Sequence, residues 1–292
     1  MSTIALLVIT GLALGALYFL IASGLSLIWG LMRVLNFAHG AFFTVASYCA
    51  FIAAAALPAG GPWLHFLFAV AVGVGVGGVF AALTEVVLVR PLYERHVGQV
   101  LVTVGLALAT TALVQGGFGA DPRQLELPVW LTGTTTIFAA IPNSRLLTIA
   151  AAALVLVLLR FFLQRTRYGL IVRAGVENRA MVSALGIDVQ RAFTLVFAIG
   201  GMAAGLAGVL AGAYYGTIDP FRGTAMLLFA FIVVVIGGLG SVTGSAVAAV
   251  IVGLLQQFLN FYAAAGTGDF AVVVLLAVVL LRRPGGLFGS AT

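Results

Sequence analysis

The segment RTRYGLIVRAGVENRAMVSALGIDVQR, residues 165–191, is the longest polar stretch of a chain that is otherwise strongly apolar. It carries five of the fourteen basic residues, together with Glu177 and Asp188, and long apolar runs flank it on both sides. Because lipid solvates charged side chains poorly, we expect this segment to face water. The flanking runs are then expected to lie in a membrane.

The composition supports a membrane protein. Of the 292 residues, 63% are hydrophobic and 8% are charged, whereas a soluble domain carries about 25% charged residues. The apolar runs are continuous rather than alternating, which indicates helices and not a barrel. The sequence therefore predicts an all-α, polytopic integral membrane protein, with residues 1–292 as a single transmembrane domain. The net charge of +6 does not indicate nucleic acid, because the basic residues lie in short loops.

The apolar runs predict eight or nine membrane crossings. They lie at roughly 3–30, 40–57, 63–89, 98–117, 146–164, 192–215, 224–240, 242–262 and 269–281. If all nine cross, most arginines fall in loops on one side, which should be cytoplasmic. The N-terminus is then outside and the C-terminus cytoplasmic. Segment 118–145 is the longest outer loop, and its prolines prevent one continuous helix; an outer rim and a plain linker are equally compatible with it.

Two polar interruptions separate neighbouring apolar runs: RVLNFAHG at 33–40 and GGLGSVTG at 237–244. Transporters bind their cargo where discontinuous helices expose backbone groups, at corresponding positions of two repeats. The two interruptions fit that pattern in position but not in sequence. The many glycines within the spans indicate close helix packing rather than contact with a substrate.

The sequence contains no recognisable catalytic or metal site. The three histidines are widely separated, and no phosphate-binding loop is present, so we expect neither cofactor nor metal. Ion-coupled carriers commonly keep a carboxylate within a span. The nearest candidate, Glu85, is followed closely by Arg90, which favours a structural role at the interface. Energy for uphill transport is therefore expected to come from another chain.

Segment 165–191 has a moderately amphipathic pattern when it is plotted as a helix. Met181 and Leu185 continue an apolar side, and Gly186 is suited to end the helix because glycine readily adopts positive φ. Such a helix docks in a groove of a partner protein or lies on lipid headgroups. The pattern alone favours neither.

Five motifs, in the same order along the chain, resemble those of LivH-like permease subunits of ABC importers for branched-chain amino acids. They are RVLNFAHGAF at 33–42, EVVLVRPLYE at 85–94, RTRYGLIVRAGVENRAMVSALGI at 165–187, GGLGSVTG at 237–244 and RRPGGLFG at 282–289. Phe229 departs from the pattern, because relatives often have Lys there. This departure leaves the substrate open among branched-chain amino acids, urea, short amides and aromatic acids.

The resemblance implies that 174–186 is a coupling helix seated on an ATPase subunit. The coupling residues would be Arg173, Glu177, Asn178, Arg179, Met181, Leu185 and Gly186. It also implies a translocation pathway near Asn36, His39, Gly40, Gly237, Gly238, Gly240 and Ser241.

The implied importer resides in a bacterial inner membrane. Its other components would be a second, LivM-like permease, two cytoplasmic ABC ATPases and a periplasmic solute-binding protein. The pore is either hetero- or homodimeric. The alternative function is a stand-alone ion-coupled secondary transporter.

Overall fold

The fold consists almost entirely of helices. The computed structural model describes residues 2–33, 35–57, 61–125, 127–136, 139–177, 181–182, 186 and 188–288. The helices are α1 Ser2–Met32, α2 His39–Ala55, α3 Pro62–Thr84, α4 His96–Phe118, α5 Val129–Thr132, α6 Asn143–Arg165, α7 Arg167–Glu177, α8 Val189–Tyr215, α9 Arg222–Gly237, α10 Val242–Tyr262 and α11 Thr267–Arg282. A π-helical turn, Glu85–Val89, and a 3-10 turn, Arg90–Leu92, extend α3.

Four short strands lie in the connections between helices within the described residues. These are β1 Arg123–Gln124, β2 Thr134–Thr136, β3 Ala140–Pro142 and β4 Thr217–Ile218; β1 pairs with β4 and β2 with β3, both antiparallel. Trp130 lies beside Trp63 at the start of α3, with 5.9 Å between ring centroids. The 118–145 segment therefore packs against the start of α3 at this point, and its role as a rim or a linker stays open.

The lengths of the helices agree with an all-α, multi-pass membrane protein. Among the described residues, six helices are long and apolar enough to cross a membrane, and two shorter apolar helices are α2 and α9. The last helix, α11, has 16 residues, which at about 1.5 Å per residue is shorter than a 30 Å hydrocarbon core. Helix length alone does not establish the predicted eight or nine crossings.

Both predicted interruptions are breaks between helices. Helix α1 ends at Met32 and α2 begins at His39, while α9 ends at Gly237 and α10 begins at Val242. At the first break Arg33 has φ +53°, which is uncommon for a residue other than glycine. The regular helical backbone is therefore interrupted at both points.

Glycines allow the long helices to approach closely, as the sequence predicted. A Cβ added to Gly24 of α1 would lie 2.7 Å from the Cα atom of Gly200 in α8. A Cβ on Gly77 of α3 would meet the backbone of Gly201, also in α8. Gly75, on another side of α3, faces open space. The packing interpretation is therefore confirmed at the first two contacts but does not extend to every glycine.

The helices differ in how far the rest of the chain covers them. In α1 and α8, 67% of the most apolar 18-residue window is buried, whereas in α4 and α6 the share is 17%. Helices α1 and α8 are therefore central. Helices α4 and α6 leave apolar faces uncovered by this chain, which suits contact with lipid.

Candidate functional site

The first predicted pathway group lies at the start of α2. Asn36 is 2% exposed, and its Oδ1 accepts a hydrogen bond of 3.0 Å from the backbone N–H of Ala38. This bond stabilises the turn that leads into the helix. His39 is fully buried, with its Nε2 atom 3.1 Å from the carbonyl oxygen of Ile21. Histidine at this position therefore joins α2 to the middle of α1.

Gly40 lies where α2 crosses the beginning of α9. A Cβ at this position would lie 2.6 Å from the carbonyl oxygen of Gly223. No larger residue fits without moving the backbone of one helix. The structure thus gives Gly40 a packing role, and contact with a solute stays a prediction.

An apolar cavity of about 230 Å³ opens between the α1–α2 connection and α9. Its walls include Leu25, Leu227, Leu228 and Phe231, with Asn36 and Thr224 as polar members. The Nδ2 atom of Asn36 is buried, and the described part of the chain offers it no hydrogen-bond acceptor. The cavity therefore combines an apolar wall with one unsatisfied donor beside it.

The second predicted pathway group forms the turn between α9 and α10. Gly238 and Gly240 have φ values of +101° and +87°, which favour glycine. Gly237 packs on the backbone of Gly244. The N–H group of Gly244 donates a 3.0 Å hydrogen bond to the Oγ atom of Ser241. Ser241 is thus the N-cap of α10.

The C-terminal motif completes this turn. The N–H groups of Leu287 and Phe288 donate to the carbonyl oxygens of Ile236 and Gly237, at 2.8 and 3.1 Å. These carbonyls belong to the last turn of α9 and have no partner within the helix. The motifs at 237–244 and 282–289, distant in sequence, therefore form one structural unit.

The two pathway groups line different cavities. Gly240 and Ser241 border a second, larger cavity of about 740 Å³, which does not include Asn36. Arg173, predicted for coupling, lines the same cavity. The structure therefore places one coupling residue beside part of the predicted pathway and separates the two parts of that pathway.

The coupling segment is described only in part. Asn178, Arg179 and Leu185 lie outside the described residues, and Glu177 is known only as the last residue of α7. Helix α7, Arg167–Glu177, overlaps the first part of the predicted 174–186 helix, and the described residues 181 and 182 are also helical.

The remaining coupling residues retain their expected character. Met181 is 62% exposed, and Gly186 has φ +77°, the conformation expected of a glycine that ends a helix. Neither observation tests a contact with an ATPase, so the coupling roles stay predictions.

Glu85 is the centre of a polar cluster at the end of α3. Its fully buried carboxylate accepts hydrogen bonds from Arg90 at 2.9 and 3.1 Å and from the Thr194 hydroxyl at 2.7 Å. The Tyr93 hydroxyl donates to it as well. Burial, followed by this hydrogen bond, raises the pKa of Tyr93. These contacts tie α3 to α8 and support the structural interpretation of Glu85.

A hydrogen-bonded chain that runs from the buried Tyr18 to the exposed Asp269 was not apparent in the sequence. The Tyr18 hydroxyl donates to Gln256 Oε1 at 2.7 Å, and Gln256 Nε2 donates to Asp269 at 2.5 Å. Phe229, which departs from the family pattern, stacks on Tyr18 with 5.1 Å between ring centroids. The sequence marked Phe229 as unusual, but only the fold brings it to Tyr18.

These features define a class of protein: a multi-pass membrane permease whose interrupted helices border cavities. A family model described as "Branched-chain amino acid transport system / permease component" matches residues 7–282. The chain belongs to this family.

Individual relatives agree with this assignment over nearly the whole chain. The high-affinity branched-chain amino acid transport system permease protein LivH of Escherichia coli K12 is 31% identical, and the match covers 96% of this chain and 93% of LivH. The high-affinity branched-chain amino acid transport system permease protein BraD of Pseudomonas aeruginosa is also 31% identical, and the match covers 96% of this chain and 94% of BraD. The E. coli ribose import permease protein RbsC is more distant: it is 27% identical, and the match covers 86% of this chain and 78% of RbsC.

Proposed function

We propose that this chain is the membrane-spanning subunit of an ABC importer and forms half of a translocation pathway for branched-chain amino acids. Membership of the permease family and the similarity to LivH and BraD support this role. A second, LivM-like permease supplies the other half of the pathway. Two cytoplasmic ATPase subunits hydrolyse ATP, and a periplasmic binding protein delivers the solute.

The apolar cavity is the observation that carries the choice of solute. Its leucine and phenylalanine walls suit an aliphatic side chain, and almost all of its lining is apolar. A sugar would bury several hydroxyls against these walls without partners, which costs free energy for each one. Among the substrate classes of the relatives, the cavity therefore favours amino acids over ribose.

Changing Leu228 to Asn tests this assignment. Leu228 lines the cavity and is 59% exposed, so the substitution disturbs little packing in the folded chain. We expect the maximal rate of leucine uptake by the whole importer to fall about tenfold, because the amide disrupts an apolar contact surface. Leu108→Asn is the control, since Leu108 is 67% exposed on α4 and does not line the cavity. Equal rates for the two variants would remove the cavity from the pathway.

The sequence predicts eight or nine crossings of the inner membrane; an N-terminus outside and a C-terminus in the cytoplasm correspond to nine. Arg145, which begins α6, donates to Thr10 near the start of α1 and lies over the ring of Tyr214 near the end of α8. These three helix ends therefore lie at one side of the bundle. Helices that cross the membrane in alternating directions would also bring these three ends to one side, so the contacts agree with the proposed topology.

Segment 174–186 couples the permease to the ATPase, with Arg173, Glu177, Asn178, Arg179, Met181, Leu185 and Gly186 at or beside the contact. The charge pattern of the segment and the exposure of Met181 support this role. Reversing the charges of residues at the edge of the contact should weaken association of the permease with the ATPase, because complementary charges orient the two proteins.

The double substitution Glu177→Arg with Arg179→Glu should reduce co-purification of the ATPase about tenfold. Membrane insertion, followed as the yield of folded permease, should not change. Arg95→Glu is the control, because Arg95 lies in the α3–α4 connection. Normal co-purification and transport by the double variant would contradict the coupling assignment.

A stand-alone ion-coupled transporter is the second candidate function. A carboxylate within a span would favour it, but the carboxylate of the buried Glu85 accepts hydrogen bonds from Arg90, Tyr93 and Thr194. Reconstitution of the purified chain alone distinguishes the two functions. The permease proposal predicts no gradient-driven uptake by the chain alone and ATP-dependent uptake by the whole importer.

A further inference from the structure

The larger cavity, of about 740 Å³, is basic. Three arginines line it, and they come from three separate parts of the fold: Arg33 follows α1, Arg160 lies in α6 and Arg173 lies in α7. Its volume is typical of cavities that hold a small molecule. All three arginines are exposed, and positive charges that line one cavity repel each other unless an anion or solvent compensates them.

These arginines lack anionic partners within the described part of the chain. The ion pairs recorded there are Arg90 with Glu85 and Arg191 with Asp188, neither of which lies at this cavity. No carboxylate is among the described residues that line it. Among the described residues, the charge at this cavity is therefore purely cationic.

The N-terminus of α10 faces the same space. Gly240, Ser241, Val242 and Thr243 all line the cavity, and α10 is 21 residues long. Ser241 accepts hydrogen bonds from the N–H groups of Gly244 and, through its carbonyl, Ser245. The N–H groups of Val242 and Thr243 precede these bonds and have no intrahelical partner. A helix N-terminus with free N–H groups attracts anions through its dipole.

The backbone at Arg33 is an independent sign of a constrained position. Its φ of +53° lies in the left-handed region, which residues other than glycine rarely adopt. Such outliers cluster at ligand sites, where the surrounding structure holds them in place. Here the unusual backbone belongs to one of the three arginines that line the basic cavity.

We infer that the basic cavity binds a phosphate-bearing anion between Arg33, Arg160, Arg173 and the N-terminus of α10. Guanidinium groups recognise phosphate through paired N–H donors, and the helix N-terminus adds backbone donors of the same kind. Apolar members of the wall, Leu156 and Leu163 of α6, suit the acyl chains of a phospholipid. The same phosphate chemistry is shared by an anionic lipid headgroup and by soluble phosphate.

Native mass spectrometry of the purified full chain tests this site. The probes are phosphatidylglycerol, zwitterionic phosphatidylcholine and inorganic phosphate, each titrated separately. We expect phosphatidylglycerol to bind the wild-type chain and Arg160→Gln to weaken this binding about tenfold, because a charge-assisted hydrogen bond is lost. Arg33→Gln, on a different element, should give the same loss, and Arg160→Lys should retain part of the affinity. Thermal unfolding confirms that each variant is folded.

Arg165→Gln is the matched control, since Arg165 lies on the same helix, is exposed and does not line the cavity. Its affinity for phosphatidylglycerol should equal that of the wild type. If Arg160→Gln weakened the binding of inorganic phosphate but not of phosphatidylglycerol, the site would be supported and its ligand would be a soluble phosphate rather than a lipid. Unchanged binding of all probes by Arg160→Gln, or equal losses in Arg160→Gln and Arg165→Gln, would overturn the inference.

Discussion

Replacement of Gly77 by Val is expected to destabilise the fold more than any other single change considered for this chain. A Cβ at position 77 of α3 meets the carbonyl group of Gly201 and lies 3.0 Å from the Cα atom of Gly205 in α8. These obstructing atoms are backbone, so they cannot rotate away as a side chain would. The two helices must separate, which reduces packing over their whole contact.

Overpacking of this kind costs about 3 kcal/mol or more, which corresponds to a loss of about 10 °C in melting temperature for a chain of this size. Thermal unfolding in detergent, followed by size-exclusion chromatography, measures the loss. Gly75→Val on the same helix is the control, because an added Cβ there meets nothing within 4 Å. Equal losses in the two variants would show that valine propensity, rather than the α3–α8 contact, limits stability.

Glu85→Ala is expected to have the second-largest effect on stability. The substitution removes the acceptor of hydrogen bonds from Arg90, Tyr93 and Thr194 and leaves these donors unpaired at the end of α3. Breaking a buried ion pair from one side costs about 3–5 kcal/mol, and the 30% exposure of the Arg90 side chain places the expected loss at the lower end. The same thermal assay measures it.

Glu94→Ala is the matched control, because Glu94 is exposed in the same connection. It should change the melting temperature by less than about 2 °C. Glu85→Gln separates a structural role from an ion site. Loss of uptake by the whole importer with unchanged melting temperature would contradict the structural role, whereas a lowered melting temperature agrees with it.

The apolar pattern was sufficient to predict the helices and both breaks between them. The ends of α1, α2, α9 and α10 lie close to the predicted limits. The polar or glycine-rich residues between two apolar runs end one helix and begin the next. Glycine spacing also predicted tight packing. It did not distinguish Gly77, which faces α8, from Gly75, which does not, because that depends on the rotation of α3 about its axis.

The sequence predicted the grouping of the site residues less well than it predicted the helices. Asn36 and Gly240 were assigned to one pathway, yet they line different cavities, whereas Arg173 shares a cavity with Gly240. The contacts of Arg33 with this cavity and of Tyr18 with Gln256 join residues far apart in sequence. No periodicity within one helix specifies such neighbours.

The sequence alone determined the class of protein, the family and the places where helices stop. Hydrophobicity and local backbone preference act over a few residues, so each can be judged from a short stretch of sequence. The tertiary structure alone decided which polar groups meet: the Glu85 cluster, the apolar cavity at Asn36, and the basic cavity where segment 165–191 contributes Arg173. These depend on the angle and register at which helices cross, which are set by close packing of residues from distant parts of the chain.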